Sequence, residues 1–289
     1  MAPTVALIGV HGHLFNAIHE AITSSLFKDK YNLPLRALTR DPSKEEHKKF
    51  VEYYSINYED PSSLDNALDG VDVAINLVSP GQVWDVILQS IVRKKVPVYI
   101  TSDFGCDGRK VLQKSFLDFK DGHAEKAKAA GVPKVVRFFT GLFQEFLKSP
   151  ALGPTWKEHT ATILGDGTGP VTATSIRDIG RAVASIAYRP ASEIPDVVRI
   201  QGDQKTLNEI IAIYEKLTSN KVKVTYDPLP ADSLDQLADA DLLPALRIFA
   251  ANPQTESFYF PETQNELVNP GLWKWQSIEE LFINDFGEN

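Results

Sequence analysis

Residues 5–15 read Val-Ala-Leu-Ile-Gly-Val-His-Gly-His-Leu-Phe, and this stretch decides the fold. The apolar run at 5–8 is typical of a short strand buried on both faces, and Gly9 and Gly12 follow it directly. Leu14 begins a series of apolar residues at helical spacing. Glycines between a strand and a helix let backbone N–H groups approach a phosphate at the helix N-terminus, so the stretch predicts a nucleotide-binding turn. The residues expected to contact the nucleotide here are Gly9, His11, Gly12, His13, Leu14 and Phe15.

The alternative for this stretch is a plain tight turn that binds no ligand. Phe15 bears on the choice, because the dinucleotide-binding fingerprint has a third small residue at that position. A bulky ring there counts against tight cofactor binding. A cofactor-free activity on the same fold, such as an isomerase or a cyclase, therefore stays open.

The first half of the chain alternates short apolar runs with helical patterns. Further strands are predicted at residues 35–39, 54–56, 73–78, 98–100 and 135–139. This alternation is typical of an α/β fold with a Rossmann-type doubly wound parallel sheet. Beyond about Ser149, glycine and proline interrupt the pattern. We expect an NADP-binding Rossmann domain at 1–150 and a smaller, mainly substrate-binding α/β region at 151–289, of which about 171–190 packs back on the first domain.

The chain has 289 residues and a formal net charge of −8 at pH 7. Nucleic-acid and anionic-membrane partners usually leave a basic footprint, so this charge argues against both. A single cysteine, Cys106, excludes an intrachain disulfide framework, and no apolar run reaches the length of a membrane span. Residues 1–4 lack a basic signal-peptide region, and no histidine pair has the spacing of a zinc site. The composition predicts a cytoplasmic monomer or homodimer that binds a small molecule and no metal.

Polar residues follow several predicted strands, at ends that meet along one edge of a parallel sheet. Arg40 ends the second strand beside the expected ribose, where an arginine can pair with a 2′-phosphate and so favours NADP over NAD. Lys44 lies close enough in sequence to help, although both residues also suit a charged surface. Ligands of open α/β sheets bind outside the carboxyl ends of the strands. We therefore expect cofactor contacts from Val78, Ser79, Ser102 and Phe104 and a substrate contact from Asp103, with helix capping or turn formation as the alternative for Ser102 and Asp103.

An ordered set of motifs resembles the NmrA-like and isoflavone-reductase-like group of atypical short-chain dehydrogenases/reductases. The matching segments are residues 9–12, 38–42, 70–79, 102–105, 131–133, 141–145 and 176–180. The resemblance covers roughly the first 190 residues and implies a Rossmann fold with NADP(H) as the cofactor. In the plant reductases of this group a lysine precedes the glycine of a Gly-Val/Ile-Pro segment by eleven residues, as Lys120 precedes Gly131. The resemblance implies that Lys120 holds the nicotinamide ribose and assists proton transfer.

The remaining candidates lie near Lys120 or follow the predicted strand at 135–139. His123, one helical turn after Lys120, is either a proton donor to the substrate or an ordinary surface residue. Phe116 stands where standard short-chain dehydrogenases have their tyrosine, which excludes only the standard mechanism. Phe143 and Trp156 are expected to line an aromatic pocket for a planar substrate, with core packing as the alternative.

These features predict an NADPH-dependent reductase of a small, aromatic or polyketide-like metabolite, with hydride transfer assisted by Lys120. A second hypothesis is a non-catalytic NmrA-like regulator that senses NADP. Such a protein would keep Arg40 and would not need Lys120. The cofactor-free isomerase or cyclase is the third hypothesis.

Overall fold

The structure is a computed structural model and describes residues 1–111, 118–238 and 241–287, so that Phe116 lies outside the described residues. The strands in these ranges are β1 (Thr4–Ile8), β2 (Asn32–Thr39), β3 (Val51–Ser55), β4 (Val73–Asn76), β5 (Val98–Ile100), β6 (Lys134–Phe139), β7 (Leu142–Phe143), β8 (Pro154–Thr155), β9 (Thr160–Leu164), β10 (Pro170–Thr174), β11 (Val197–Arg199), β12 (Asp203–Thr206) and β13 (Lys223–Asp227). The helices are α1 (His13–Thr23), α2 (Pro61–Leu68), α3 (Val83–Arg93), α4 (Asp118–Ala129), α5 (Ile176–Ala187), α6 (Leu207–Thr218), α7 (Leu242–Ala251), α8 (Asn265–Val268) and α9 (Ile278–Phe286). No helix of these ranges is long and apolar enough to cross a membrane.

The six strands of the first half of the chain and β11 form a seven-stranded sheet. Its strand order is β11-β6-β5-β4-β1-β2-β3. The strands β1 to β6 pair in parallel, and β1, β4 and β5 are almost wholly buried because helices cover a sheet of this kind on both faces. The predicted Rossmann-type sheet is confirmed. The strand order reverses at β1, which lies between β2 and β4, and Ile8 pairs with both Leu38 and Asn76. Three strands therefore end side by side at the switch point, where open α/β sheets bind their ligands.

The fourth strand ends earlier than the sequence predicts, at Asn76 rather than at residue 78. The Asn76 side-chain oxygen accepts a hydrogen bond from the Val78 backbone N–H at 3.0 Å. This local bond turns the chain away from the sheet, as asparagine side chains do at the ends of regular structure. The turn brings Val78 into the loop beyond the sheet edge.

The chain divides into two compact units that interleave in sequence. Unit 1 comprises Met1–Asp103, Phe119–Phe138 and Ile179–Val198, and unit 2 comprises Phe104–Asp118, Phe139–Asp178 and Arg199–Asn289. The sequence predicts consecutive domains at 1–150 and 151–289 instead, and that boundary stays a prediction.

In unit 1, α5 lies directly against α1. A Cβ built on Gly180 would come within 2.3 Å of the Ala17 carbonyl oxygen, so the approach requires a glycine. The Tyr31 hydroxyl donates a hydrogen bond to the Ala184 carbonyl. These contacts join α5 to α1 and to Tyr31, the residue before β2.

Unit 2 contains two three-stranded sheets, in the orders β12-β10-β7 and β13-β9-β8. Its core includes Trp156, Tyr214, Phe249 and Phe282. Four elements predicted for the second half of the chain are present. The strand β13 corresponds to the prediction at 222–225, and the helices α5, α6 and α9 correspond to the predictions at 178–188, 207–217 and 277–282. The sequence does not reveal β7 and β8, which have two residues each, or β9 and β10, which lie in a stretch rich in glycine and proline.

Candidate functional site

The turn between β1 and α1 is held against the end of β4. Gly9 has φ +97°, a conformation that side chains other than glycine rarely adopt, and its N–H donates to the Leu38 carbonyl at 3.1 Å. A Cβ on Gly9 would lie 3.1 Å from Val78 Cγ2 and 3.4 Å from the Leu77 backbone. The close approach of two backbone segments therefore fixes the path of this turn.

A cleft of about 430 Å³ opens beside this turn within unit 1. Its lining includes six residues that the sequence predicts for cofactor binding, namely Gly9, His11, Gly12, Arg40, Val78 and Ser79. The lining also includes Val10, Leu38, Thr39, Tyr58, Leu77 and Val83. Of these, Tyr58 follows the carboxyl end of β3, so the strand-end rule could have identified it.

The N-terminus of α1 begins at this cleft. Its N-cap is Gly12, which offers no side-chain hydrogen bond, and the first turn carries no acidic residue. The first N–H groups of a helix lack partners within the helix and carry a partial positive charge, so such an end favours an anion. His13 is exposed at the first position of the helix.

Leu14 and Phe15 point into the core of unit 1. Phe15 is 2% exposed, and its ring stacks on that of His19 with centroids 6.4 Å apart. Neither residue belongs to the lining of the cleft as the described residues form it. The aromatic ring that replaces the third small residue of the fingerprint is thus accommodated by the packing of α1.

The rim of the cleft carries charges of both signs. Arg40 is exposed at the end of β2, while the Glu45 carboxylate accepts a hydrogen bond from Thr39 Oγ1 at 2.9 Å and lies 3.2 Å from His11 Nε2. Burial raises the pKa of Tyr58, and the positive charge of Arg40 opposes that effect. Lys44, which the sequence places at the cofactor, pairs with Asp41 at 3.0 Å and lies outside this lining.

A second group of predicted residues gathers around Lys120, also in unit 1. Lys120 lies on α4, and its Nζ donates a hydrogen bond to the Asp103 carbonyl oxygen at 2.9 Å. The Asp103 side chain, which the sequence assigns to substrate, is 1% exposed and pairs with Arg137 Nη2 at 2.6 Å. Its other carboxylate oxygen accepts from Thr101 Oγ1. The Asp103 carboxylate is therefore engaged within the protein, and Ser102 beside it is half-buried.

His123 is surrounded by aromatic side chains instead of lying on the surface. It is 2% exposed, its ring is tilted against that of Trp84 with centroids 4.7 Å apart, and its Nε2 lies 2.8 Å from the Tyr99 hydroxyl. Asn76 Nδ2 donates to the same hydroxyl at 3.1 Å, and the Asn76 oxygen holds the Val78 N–H. Burial lowers the pKa of His123 from 6.5 to about 4, against smaller opposing effects of nearby carboxylates. These surroundings are those of a buried neutral histidine, and they leave Lys120 as the candidate for proton transfer.

The three remaining predicted residues belong to unit 2. Phe104 is half-buried, and Phe143 packs on Phe146 with ring centroids 5.4 Å apart. Trp156 is 5% exposed, and its Nε1 donates to the Leu147 carbonyl at 2.8 Å. Trp156 also lines a cleft of about 510 Å³ together with His159 and Tyr214. The core of unit 2 thus accounts for most of the Trp156 surface, whereas Phe143 keeps part of its ring accessible.

The side chains of the described ranges form no group of three or more histidine, cysteine or acidic residues that could hold a metal ion. Of the possible ligands in unit 1, the carboxylates nearest Lys120 are already paired with Arg137. The groups available for binding are therefore the backbone of the glycine turn, the end of α1 and the residues along the strand ends.

Comparison with known proteins agrees with this architecture. The sequence model of the NmrA-like family matches residues 1–281. "Oxidoreductase aprR" of Aspergillus flavus is 23% identical over 235 residues, which cover 78% of this chain and 77% of that protein. The structure of AtPrR2 with NADP+ and (+)pinoresinol superposes with a TM-score of 0.78 at 19% identity, over 97% of this chain and 98% of that chain. The crystal structure of an isoflavone reductase gives a TM-score of 0.78 at 18% identity, with the same coverage. The two structural likenesses show the fold, and the match over residues 1–281 decides membership: the chain belongs to the NmrA-like family.

Proposed function

We propose that this protein is an NADPH-dependent reductase of a small aromatic or polyketide-like molecule. The observation that carries the proposal is the single cleft that contains the glycine turn, the strand ends and Arg40. This combination fits a dinucleotide, because it offers backbone N–H groups and a helix end for phosphate and a guanidinium for a 2′-phosphate. The structure of AtPrR2 contains NADP+, which supports the same choice of cofactor.

The residues that would hold the cofactor follow from this cleft. The backbone of Gly9 to Gly12 and the N-terminus of α1 would bind the phosphates, and Arg40 would bind the 2′-phosphate. Val78 and Ser79 would contact the nucleotide from the end of β4. The nicotinamide group supplies the hydride when it is bound.

We propose that Lys120 holds the nicotinamide ribose and donates the proton to the substrate. Its Nζ already donates to the Asp103 carbonyl, so one end of a flexible side chain is held in place before any ligand arrives. A second N–H of the same ammonium can donate to an oxygen of the substrate and transfer a proton as negative charge develops there. Because a lysine ammonium is a weak acid in water, this role depends on the groups that hold Lys120 Nζ beside the reacting oxygen.

The first experiment titrates the purified protein with NADPH and NADH and follows cofactor fluorescence. We expect NADPH to bind more tightly, and Arg40→Ala to weaken NADPH binding by about 10- to 100-fold with little effect on NADH, as for the loss of a charge-assisted contact. Lys216→Ala, which removes an exposed lysine of unit 2, is the matched control. Equal affinity for both nucleotides, or none for either at millimolar concentration, would refute the cofactor assignment.

A second experiment separates a reductase from a sensor. Purified protein with NADPH is offered a panel of aromatic ketones, enones and quinones, and Lys120→Met is compared with Lys126→Met on the same helix, where Lys126 pairs with Asp85 at the surface. We expect Lys120→Met to lower kcat by about 10²- to 10⁴-fold and Lys126→Met to leave it unchanged. Tight NADPH binding without turnover of any compound would favour the regulator that senses NADP.

A further inference from the structure

Arg137 is a buried arginine in the middle of β6. Its side chain is 5% exposed, although the residues around it in the strand are valine and phenylalanine. Nη2 pairs with Asp103 Oδ1 at 2.6 Å and with Asp121 Oδ1 at 2.5 Å. Burial alone would lower the pKa of Arg137, but hydrogen bonding and charge from Asp103 and Asp121 outweigh that effect and raise it. The guanidinium therefore remains charged inside unit 1.

The two carboxylates that pair with Arg137 belong to the two segments that the Lys120 hydrogen bond joins. Asp121 follows Lys120 directly on α4, and Asp103 supplies the carbonyl oxygen that accepts from Lys120 Nζ. One guanidinium thus ties the start of α4 to the segment after β5, and these are the two segments that the Lys120 hydrogen bond joins. Thr101 Oγ1 fixes the second oxygen of the Asp103 carboxylate.

The four residues of this group carry charges of both signs. Lys120 and Arg137 contribute two positive charges, and Asp103 and Asp121 contribute two negative ones. A buried charge that loses its partner is costly, so removal of one member is expected to destabilise the arrangement of the others. Of the two carboxylates, Asp121 is the more accessible, with a side chain 33% exposed against 1% for Asp103, so it can be altered with less damage to folding.

We infer that Arg137 is a positioning residue for Lys120 and acts through Asp103 and Asp121. This inference rests on the proposed function for the role of Lys120 toward the cofactor. Arg137 fixes the carbonyl to which Lys120 donates and the helical turn from which Lys120 projects. It touches neither substrate nor cofactor in this role.

The test is a double-mutant cycle with NADPH as the probe. Arg137→Gln and Asp121→Asn are each made in the parent and in Lys120→Met, and the Kd for NADPH is measured by fluorescence. In the parent we expect Arg137→Gln to raise the Kd by roughly 5- to 20-fold and Asp121→Asn by a few fold, the size of coupling between contacting residues. In Lys120→Met we expect both effects to fall below about 2-fold. Equal losses in both backgrounds would mean a purely structural role and would overturn the inference.

Two controls keep this result interpretable. Arg137→Lys retains the charge without the planar fork and is expected to recover part of the NADPH affinity that Arg137→Gln loses. Glu125→Gln removes one negative charge from the same helix, where Glu125 pairs with Lys128 at the surface, and is expected to leave the Kd unchanged. If Glu125→Gln weakened binding as much as Asp121→Asn, net charge rather than positioning would explain the effect.

A second readout needs no cofactor. Apo protein is treated briefly with acetic anhydride, and acetylation of each lysine is measured by peptide mass spectrometry. We expect Asp121→Asn to increase acetylation of Lys120 severalfold, because it breaks the ion pair between Arg137 and the turn of α4 that carries Lys120. Glu125→Gln leaves that ion pair intact and is expected to leave acetylation of Lys120 unchanged. Unchanged labelling of Lys120 in Asp121→Asn would overturn the inference. Increased labelling in a protein that fails to bind NADPH would support the positioning role and reject the proposed function.

Discussion

The cleft beside Gly9 and the surroundings of Lys120 both belong to unit 1, yet they are built from different groups. The cleft is formed largely by backbone at strand ends, and its one arginine, Arg40, is exposed. The surroundings of Lys120 are formed by side chains that pair in the interior, with Arg137 at their centre. The shape of the first region therefore depends on where the chain turns. The geometry of the second depends on ion pairs between side chains.

The comparison predicts that two arginine substitutions lower the free energy of unfolding by very different amounts. Arg137→Met leaves the Asp103 carboxylate buried without its cation and should lower the free energy of unfolding by about 3–5 kcal/mol. Arg40→Met removes an exposed side chain and should change it by less than about 0.5 kcal/mol while weakening NADPH binding. Urea unfolding of both variants checks this. Similar stability losses would show that the two regions do not differ as described.

The next effect concerns His123, which joins the core to the loop at Val78 through Tyr99 and Asn76. Its pKa of about 4 lies below the ordinary value of 6.5, so the unfolded chain binds a proton between these pH values and the folded chain does not. Stability is then fully present above pH 6.5 and is lost as the pH falls toward 4, by up to about 3 kcal/mol.

Urea unfolding of the parent and of His123→Gln between pH 4 and 7 measures this contribution. The difference between the two free energies of unfolding should shrink as the pH falls, because the glutamine takes up no proton. A difference that stays constant over this range would mean that His123 titrates alike in the folded and unfolded chains.

The smallest predicted effect tests the backbone of the cleft. Gly9→Ala and Gly70→Ala both place a Cβ at positive φ, but only at Gly9 does the new atom meet a neighbour, Val78. Each should cost about 1–2 kcal/mol of stability, and only Gly9→Ala should also weaken NADPH binding, by an expected several-fold. Thermal unfolding and fluorescence titration of the pair check this. Equal affinities would show that the turn tolerates displacement.

The fold and the cleft are visible in the sequence because both depend on local order along the chain. The run at residues 5–8, the glycines after it and the arginine after β2 follow one another closely, and parallel strands bring their carboxyl ends together by rule. The surroundings of Lys120 obey no such rule. Arg137 meets Asp103 from a position 34 residues away, and nothing in the spacing says that the two will pair.

One residue of the predicted strand at 135–139 does indicate its buried surroundings. An arginine between Val136 and Phe138 in a run expected to be buried indicates a paired charge, since unpaired charges are almost never fully buried. Conversely, His123 fits the helical spacing of a site residue equally well whether it faces solvent or core. Only packing against Trp84 and Tyr99 decides between those positions.

The interleaving of the two units has a consequence for synthesis. Unit 1 needs its last segment, Ile179–Val198, before α1 has its neighbour and the sheet has its last strand, because this segment contains most of α5 and of β11. When only the first 150 residues have been synthesised, most of the sheet is present. The surface of α1 that Gly180 will cover is still exposed. Domains usually fold as they emerge, N-terminal parts first. Here that surface stays exposed to solvent, or is bound by a chaperone, until the second half has been translated.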